Sequence, residues 1–311
     1  MREFAVAPYH RADFPVLAVD MFSGSLVAIV TPMLASGEID RAAWLRLLDF
    51  HLDNGTAGVI VGGTTGESAT LLEAELRELT TTALEHVAGR MKVIAGAGTN
   101  STAESVARAR WLSALGVDGL LVVTPAYVKP TQEGLIRHFT AVAAASSVPI
   151  LLYNVPGRTA VDLLPPTVAR LATVPNIVAL KEAVGDIERV RELLRLAPGI
   201  ALLSGDDATC REAVLAGAKG VISVTANVAP REMADMIAAA LEGDATRAGR
   251  IDARLAGLHE NLFVEANPIP VKWVLERMGL IGQGIRLPLT PLSNRFQSRV
   301  LAAMERAGLT G

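Results

Sequence analysis

Eight apolar, strand-like runs recur between about residues 25 and 226, and helical patterns fill the intervals between them. The runs are SLVAIVTP (25–32), AGVIVGGTT (57–65), KVIAGAGTN (92–100), GLLVVTP (119–125), PILLYNVP (149–156), NIVALKEA (176–183), IALLSGDD (200–207) and GVISVTA (220–226). Most are apolar on both faces, as parallel strands covered by helices are. Eight such strands alternating with helices predict an α/β protein of the (β/α)8 TIM-barrel class. A doubly wound open sheet is the alternative. It is disfavoured because no G-x-G-x-x-G follows the first strand, and VGGTTGE after the second has the wrong spacing for a dinucleotide loop.

The helical intervals carry their own start signals. Thr70 with Glu73, and Ser101 with Glu104, have capping-box spacing. Pro165 and Pro166 suit a helix start. Asp186 is placed to cap the helix of Val190 and Leu194, and Asp207 that of Val214, with Gly217 at its end. From about residue 229 the strands stop, and Pro230 opens helical sequence that runs to the end, broken by NPIP and LPLTP. Three segments are therefore expected: an N-terminal extension over 1–20, a barrel over 21–228 and a C-terminal α-helical domain over 229–311. FPVLAV in the extension is too short for a signal-peptide core, and Asp13 and Pro15 sit where an apolar region should be.

Composition removes several function classes. The formal net charge of −3, with scattered lysines and arginines, offers no electrostatic case for nucleic acid or an anionic membrane. No apolar run approaches the length that spans a bilayer. Cys210 is the single cysteine, so no internal disulfide or Cys-based zinc site is expected, and a reducing, cytoplasmic home is. The five histidines are scattered, with no H-x-x-x-H pair, and no metal is called for.

The chemistry gathers where a barrel of this kind places its active site, at the C-terminal ends of the strands. The sixth run ends in Lys181, after the apolar IVAL. Alternation puts Ile177, Ala179 and Lys181 on one face. A lysine there either snorkels to solvent or is held out of water, where desolvation favours the neutral amine that attacks a carbonyl to form a Schiff base. Its neighbours decide for the second reading. GGTTGE offers backbone N–H groups and the Thr64 and Thr65 hydroxyls for a carboxylate. Tyr127 and Tyr153, two of only three tyrosines, can relay protons beside an amine. Arg158 presents a planar fork for a second carboxylate. The seventh strand end carries Ser204, Gly205, Asp206 and Asp207; the eighth carries Ser223, Thr225 and Asn227. Singly, each has a plain structural reading; together they suit imine formation with a 2-keto acid, loss of a proton to an enamine, and attack on an aldehyde.

The motifs GSLVAIVTPM, VGGTTGESATL, VIAGAGTN, TPAYVKPTQEGL, YNVPGRT, LKEA, LLSGDDA, GVISVTANVAP and FVEANPIPVKW follow in this order. From about Met21 to the C-terminus the chain resembles the dihydrodipicolinate synthases, also called 4-hydroxy-tetrahydrodipicolinate synthases, within the pyruvate-dependent class I aldolase and N-acetylneuraminate lyase superfamily. The resemblance implies a barrel with a helical C-terminal domain. It implies a lyase that condenses pyruvate with L-aspartate 4-semialdehyde on the diaminopimelate route to lysine, using a covalent Schiff base and no other cofactor. Carried over by motif, Lys181 is the Schiff-base lysine, and Thr64 and Thr65 hold the pyruvate carboxylate. Thr65, Tyr153 and Tyr127 form the proton relay, with Tyr127 entering a neighbouring subunit's site. Arg158 faces the semialdehyde carboxylate, and Gly205 and Ile222 supply backbone. A homotetramer built as a dimer of dimers is expected.

Ser68, Ala69, Asn100 and Glu104 match the effector site of lysine-inhibited bacterial members. Glu73 and Leu76 stand where the enterobacterial pattern has histidines, and Ala126 replaces a tyrosine. Weak or absent lysine inhibition is expected from those losses, each worth about a kcal/mol or more of effector binding. Two alternatives remain at this point: another aldolase of the superfamily, acting on N-acetylneuraminate or a 2-keto-3-deoxy sugar acid, and a barrel that binds without catalysing.

Overall fold

A computed structural model describes residues 21–309. The extension expected over residues 1–20 lies outside the described residues. In chain order the elements are β1 (Gly24–Ala28), α1 (Arg41–Asp53), β2 (Gly58–Val61), α2 (Glu73–Val87), β3 (Lys92–Gly96), α3 (Thr102–Ala114), β4 (Gly119–Val123), α4 (Gln132–Ala144), β5 (Ile150–Asn154), α5 (Pro156–Thr159), α6 (Pro165–Leu171), β6 (Ile177–Glu182), α7 (Ile187–Leu196), β7 (Ala201–Ser204), α8 (Cys210–Leu215), β8 (Gly220–Ser223), α9 (Pro230–Leu241), α10 (Ala245–Asn261), α11 (Ile269–Arg277) and α12 (Asn294–Ala307). All eight strands pair in parallel and in sequence order, and β8 returns to β1 to close the barrel.

Closure sorts the apolar residues into two shells. Leu26, Ile60, Ile94, Leu121, Leu151, Ala179, Leu203 and Ile222 fill the lumen, and Phe22 joins them from the chain preceding β1. Phe22 packs where β4 begins: a Cβ on Gly119 would stand 2.8 Å from Phe22 Cζ. The alternate residues, such as Val27, Val59, Val93, Val122, Leu152, Leu180, Leu202 and Val221, pack outward against the helices. Continuously apolar strands are the sequence consequence of burial on both faces. The described chain ends in helices: α10 packs against α9 and α12, and α11 against α12.

Local details depart from the sequence reading in five places. Ile177 does not share a face with Ala179 and Lys181. The β5–β6 register shifts, Ile150 pairing with Ile177 but Leu151 with Ala179. The extra residue is a bulge, and it reverses the alternation upstream of it. Val178 therefore joins Ala179 in the lumen cluster while Ile177 packs outside. Thr70 and Glu73 do not form the capping box of α2. Thr70 Oγ1 donates to the Glu67 carbonyl, and Glu75 accepts from the N–H of Leu72, the N-cap residue, at 2.8 Å. Half of the second box forms. Ser101 Oγ accepts from Glu104 N–H at the start of α3, while the Glu104 carboxylate turns to Arg108.

Asp207 does not cap α8. Its neighbour Asp206 accepts from Thr209 N–H, and Asp207 instead accepts from the N–H groups of Val224 and Thr225, at 3.0 and 2.8 Å. The eighth strand stops at Ser223, and Thr225–Asn227 form a 3-10 turn. That turn leaves Asn227 free to accept from Val30 N–H and donate to the Ala28 carbonyl, tying β8's end to β1's. Elsewhere the start signals hold: Asp186 caps α7, and prolines open α6 and α9. No helix among the described residues is long and apolar enough to cross a membrane.

Candidate active site

Lys181 is the penultimate residue of β6, in register with Tyr153 of β5 and Leu203 of β7. The bulge at Val178 lies upstream, so Lys181 keeps the lumen side at the C-terminal mouth. Its residue is 4% exposed, and its Nζ lies over the Tyr153 ring, 4.4 Å from the centroid. Gly205, just past β7, leaves room for the lysine stem: a Cβ there would stand 2.9 Å from Lys181 Cε and 3.1 Å from its Cγ. Gly205 N–H also donates to the Glu182 carbonyl at 2.7 Å, holding the β7 loop beside the lysine. Ile222 contributes its side chain to the lumen below.

The GGTTGE turn is built on close backbone approach. Gly62 has φ +63°, and a Cβ there would lie 2.4 Å from Leu76 Cδ1. A Cβ on Gly96 would lie 2.1 Å from the Gly62 carbonyl oxygen. Only glycines admit this packing. Thr64 and Tyr153 line a small cavity of about 30 Å³, together with Gly63, Ser68, Gly98 and Leu121. Thr64 also lines the larger cleft of about 660 Å³ outside it, which Arg158, Asn267 and Val155 share. Thr65 is 1% exposed, and its hydroxyl accepts from Asn267 Nδ2 at 2.9 Å. Arg158, on the short helix α5, donates to the Asn267 carbonyl at 3.2 Å and is otherwise exposed.

Tyr127 stands apart from these groups. It is 88% exposed and has φ +72°, and its N–H donates to the Thr159 carbonyl at 3.3 Å. Its side chain is exposed to solvent and is not part of the lumen cluster that holds Tyr153.

The candidate effector residues divide. Ser68, Ala69, Asn100, Glu104 and Ala126 line the same large cleft as Thr64 and Arg158. Asn100 Oδ1 accepts from Ala126 N–H at 3.0 Å, and Glu104 pairs with Arg108. Glu73 lies elsewhere, in a surface cleft along α2 beside Arg77. Leu76 is buried beneath Gly62.

Two supporting features carry no role in the sequence reading. Asn267 bridges Thr65 and Arg158 from the chain leading into α11, and its Oδ1 is buried without a partner. Glu67, at φ +57° within the GGTTGE turn, forms a buried ion pair with Lys272 of α11. Burial holds the Lys272 amine below the usual lysine range, against the pull of Glu67. The available signals were a lone lysine in the apolar stretch IPVKWVL and the NPIP break before it. Among the described residues no group of three or more His, Cys, Asp or Glu side chains is placed to hold a metal ion.

The family model for the "Dihydrodipicolinate synthetase family" matches residues 21–307. The chain is 54% identical over 290 residues to the 4-hydroxy-tetrahydrodipicolinate synthase of Azoarcus sp. (strain BH72), covering 93% of this chain and 99% of that one. It is similar to the solved structure of the chloride-inhibited dihydrodipicolinate synthase from Acinetobacter baumannii complexed with pyruvate. That likeness has a TM-score of 0.91 at 46% identity and covers 92% of this chain and 99% of that chain. The dihydrodipicolinate synthase from Aquifex aeolicus is similar at a TM-score of 0.90 and 43% identity, over 93% and 99% of the two chains.

Proposed function

Since this chain belongs to the dihydrodipicolinate synthetase family, we propose that it condenses pyruvate with L-aspartate 4-semialdehyde through a Schiff base on Lys181. The observation that carries the reading is the buried Lys181 amine over the Tyr153 ring, at a barrel mouth whose outer cleft holds Thr64 and Arg158.

The neutral amine attacks the C2 carbonyl of pyruvate, and loss of water leaves an iminium. The iminium draws electrons from C3, which gives up a proton to form the enamine. The enamine carbon then attacks the aldehyde carbon, and the aldehyde oxygen takes a proton. Attack of the semialdehyde's own amine on the iminium closes the ring and releases Lys181. Thr64 and the N–H groups of the turn receive the pyruvate carboxylate. Thr65, Tyr153 and Tyr127 move the protons. Arg158 receives the second carboxylate at the cleft. That arginine, with the identity to a named synthase, favours this reading over a sugar-acid aldolase or a barrel without catalysis.

The exposed Tyr127 reaches its reacting partners only across a subunit interface, so the active form is an oligomer, a dimer of dimers in the full assembly. The enzyme works in the cytoplasm, needs no metal, and divides into a barrel up to about residue 228 and a helical domain after it. L-Lysine inhibits weakly or not at all, because Glu73 and Leu76 do not reach the cleft of Ser68 and Glu104, and Ala126 offers no ring for stacking.

The test is an initial-rate assay with both substrates, coupled to a dihydrodipicolinate reductase and followed by NADPH absorbance, with and without L-lysine. A rate that needs both substrates and persists in millimolar lysine is expected. Borohydride should trap pyruvate on the wild-type protein and not on Lys181→Ala. Trapping undiminished in that variant would refute the lysine assignment.

A further inference from the structure

Tyr153 and Lys181 point into the barrel, so the residues after them, Asn154 and Glu182, point out of it. Both are buried, at 0% and 4% exposure, although both are polar. Asn154 Nδ2 donates to Asp162 Oδ1 at 2.8 Å and lies 3.1 Å from both Glu182 oxygens; its Oδ1 accepts from Leu163 N–H at 2.9 Å. Glu182 also accepts from Val184 N–H at 3.1 Å.

One side chain from a separate element joins these groups. Arg189, on α7, donates from Nε to Glu182 at 2.9 Å. Its two terminal nitrogens bind Asp162 at 3.0 and 2.8 Å, and one also donates to the Leu163 carbonyl at 2.8 Å. The segment between Asn154 and Asp162 contains α5 with Arg158 and Thr159, and the Thr159 carbonyl holds Tyr127 N–H. A single guanidinium thus fastens the strand residue beside Lys181 and the loop that carries Arg158 and supports Tyr127.

We propose that Arg189 is a positioning residue for the condensation: through Glu182 and Asp162 it sets where Lys181, Tyr153 and Arg158 point. It touches no substrate. The planar fork, which meets Asp162 with two nitrogens while its Nε meets Glu182, suits this task and lysine does not. Burial raises the Glu182 carboxyl above its usual range, and Arg189 opposes that shift, so removing Arg189 alone leaves a buried acid without its counter-ion. A loss of activity in such a variant would confound folding with positioning.

The proposal rests on the Schiff-base reading, and the experiment separates the two. Two variants are compared with wild type: Arg189→Lys, which keeps a charge for Glu182 but not the fork, and the pair Glu182→Gln with Arg189→Met, which removes both buried charges. Melting temperature, borohydride trapping rate with pyruvate, kcat and each KM are measured. Both variants are expected to melt near wild type and to lose about a hundredfold in kcat and trapping rate, the scale set by an ångström of misplacement at a reacting group. The KM for pyruvate is expected to hold, because the GGTTGE turn is not part of this network. Wild-type kcat in either variant, a loss matched by loss of folded protein, or a change confined to KM overturns the proposal. Wild-type protein that fails to trap pyruvate overturns the Schiff-base reading and this inference with it; trapping by wild type and variants at equal rates overturns this inference alone.

Discussion

Lys181 depends on a neighbour with no side chain. A Cβ at Gly205 would meet Lys181 Cε at 2.9 Å and Ala183 Cβ at 2.8 Å. Gly205→Ala is therefore expected to push the lysine stem from its place over Tyr153, at an overpacking cost of about 1–3 kcal/mol. The trapping rate should fall about tenfold or more, by analogy with other misplaced reacting groups, while most of the protein stays folded. Equal trapping rates for variant and wild type would show that the stem has room. At this scale, the residues proposed for the chemistry stand out in the sequence because their types are uncommon at strand ends: a lysine after IVAL, tyrosines after apolar runs, threonines among glycines. The residues that hold them were not. Asn267 and Lys272 lie more than 200 positions from Thr65 and Glu67, as their separations of 202 and 205 show, and no local pattern links such pairs.

Elements were legible in kind and less so in their ends. Hydrophobic periodicity marks where a strand or helix lies, whereas a cap depends on which oxygen reaches which N–H once the chain has turned. Thr70 and Glu73 had the right spacing, but the helix begins after Leu72, and Glu75 supplies the carboxylate. The β6 bulge left no mark in the sequence because both faces of the strand are apolar. A further element, α1, carries a buried pH-sensitive contact near its C-terminus. His51 is fully buried and shares a hydrogen bond at 2.9 Å with Thr56, just before β2. Burial lowers its pKa from 6.5 to about 3. Between those values the unfolded chain binds a proton that the folded chain refuses. The His51 contribution is then fully present above pH 6.5 and is lost as the pH falls toward 3, at on the order of 1.4 kcal/mol per pH unit. Urea unfolding from pH 7 to 4 should show a shallower loss for His51→Gln than for wild type. Parallel curves would mean that the folded chain takes up the His51 proton as readily as the unfolded chain does.

At the scale of the whole molecule, exposed apolar side chains lie next in sequence to residues that line the large cleft. Leu72, Tyr127, Val128 and Leu287 are 69%, 88%, 55% and 81% exposed. Their neighbours Leu71, Ala126 and Pro288 line the large cleft. Apolar exposure around a cleft fits the self-association proposed above. With Tyr127 among the exposed residues, activity and self-association are expected to be linked. Specific activity should fall as the protein is diluted through the association range found by sedimentation. Tyr127→Phe should lose about 10²-fold or more in kcat, the scale of a general acid–base group, without altering that range. A dilute monomer with full specific activity would remove the need for a second subunit.

The linear order of apolar runs determined the barrel, because eight strands covered on both faces and joined by helices have few ways to bury themselves. The same order placed Lys181, Tyr153, Thr64 and Arg158 at one end, since every strand of a parallel barrel finishes on the same side. Tertiary structure alone settled how those groups are held. Closure brought Arg189 to Glu182 and Asp162, Asn267 and Lys272 to the GGTTGE turn, and Asp207 to the first residues after β8. These contacts run between buried polar atoms that must find partners once water is excluded, and which partner each one finds depends on three-dimensional proximity.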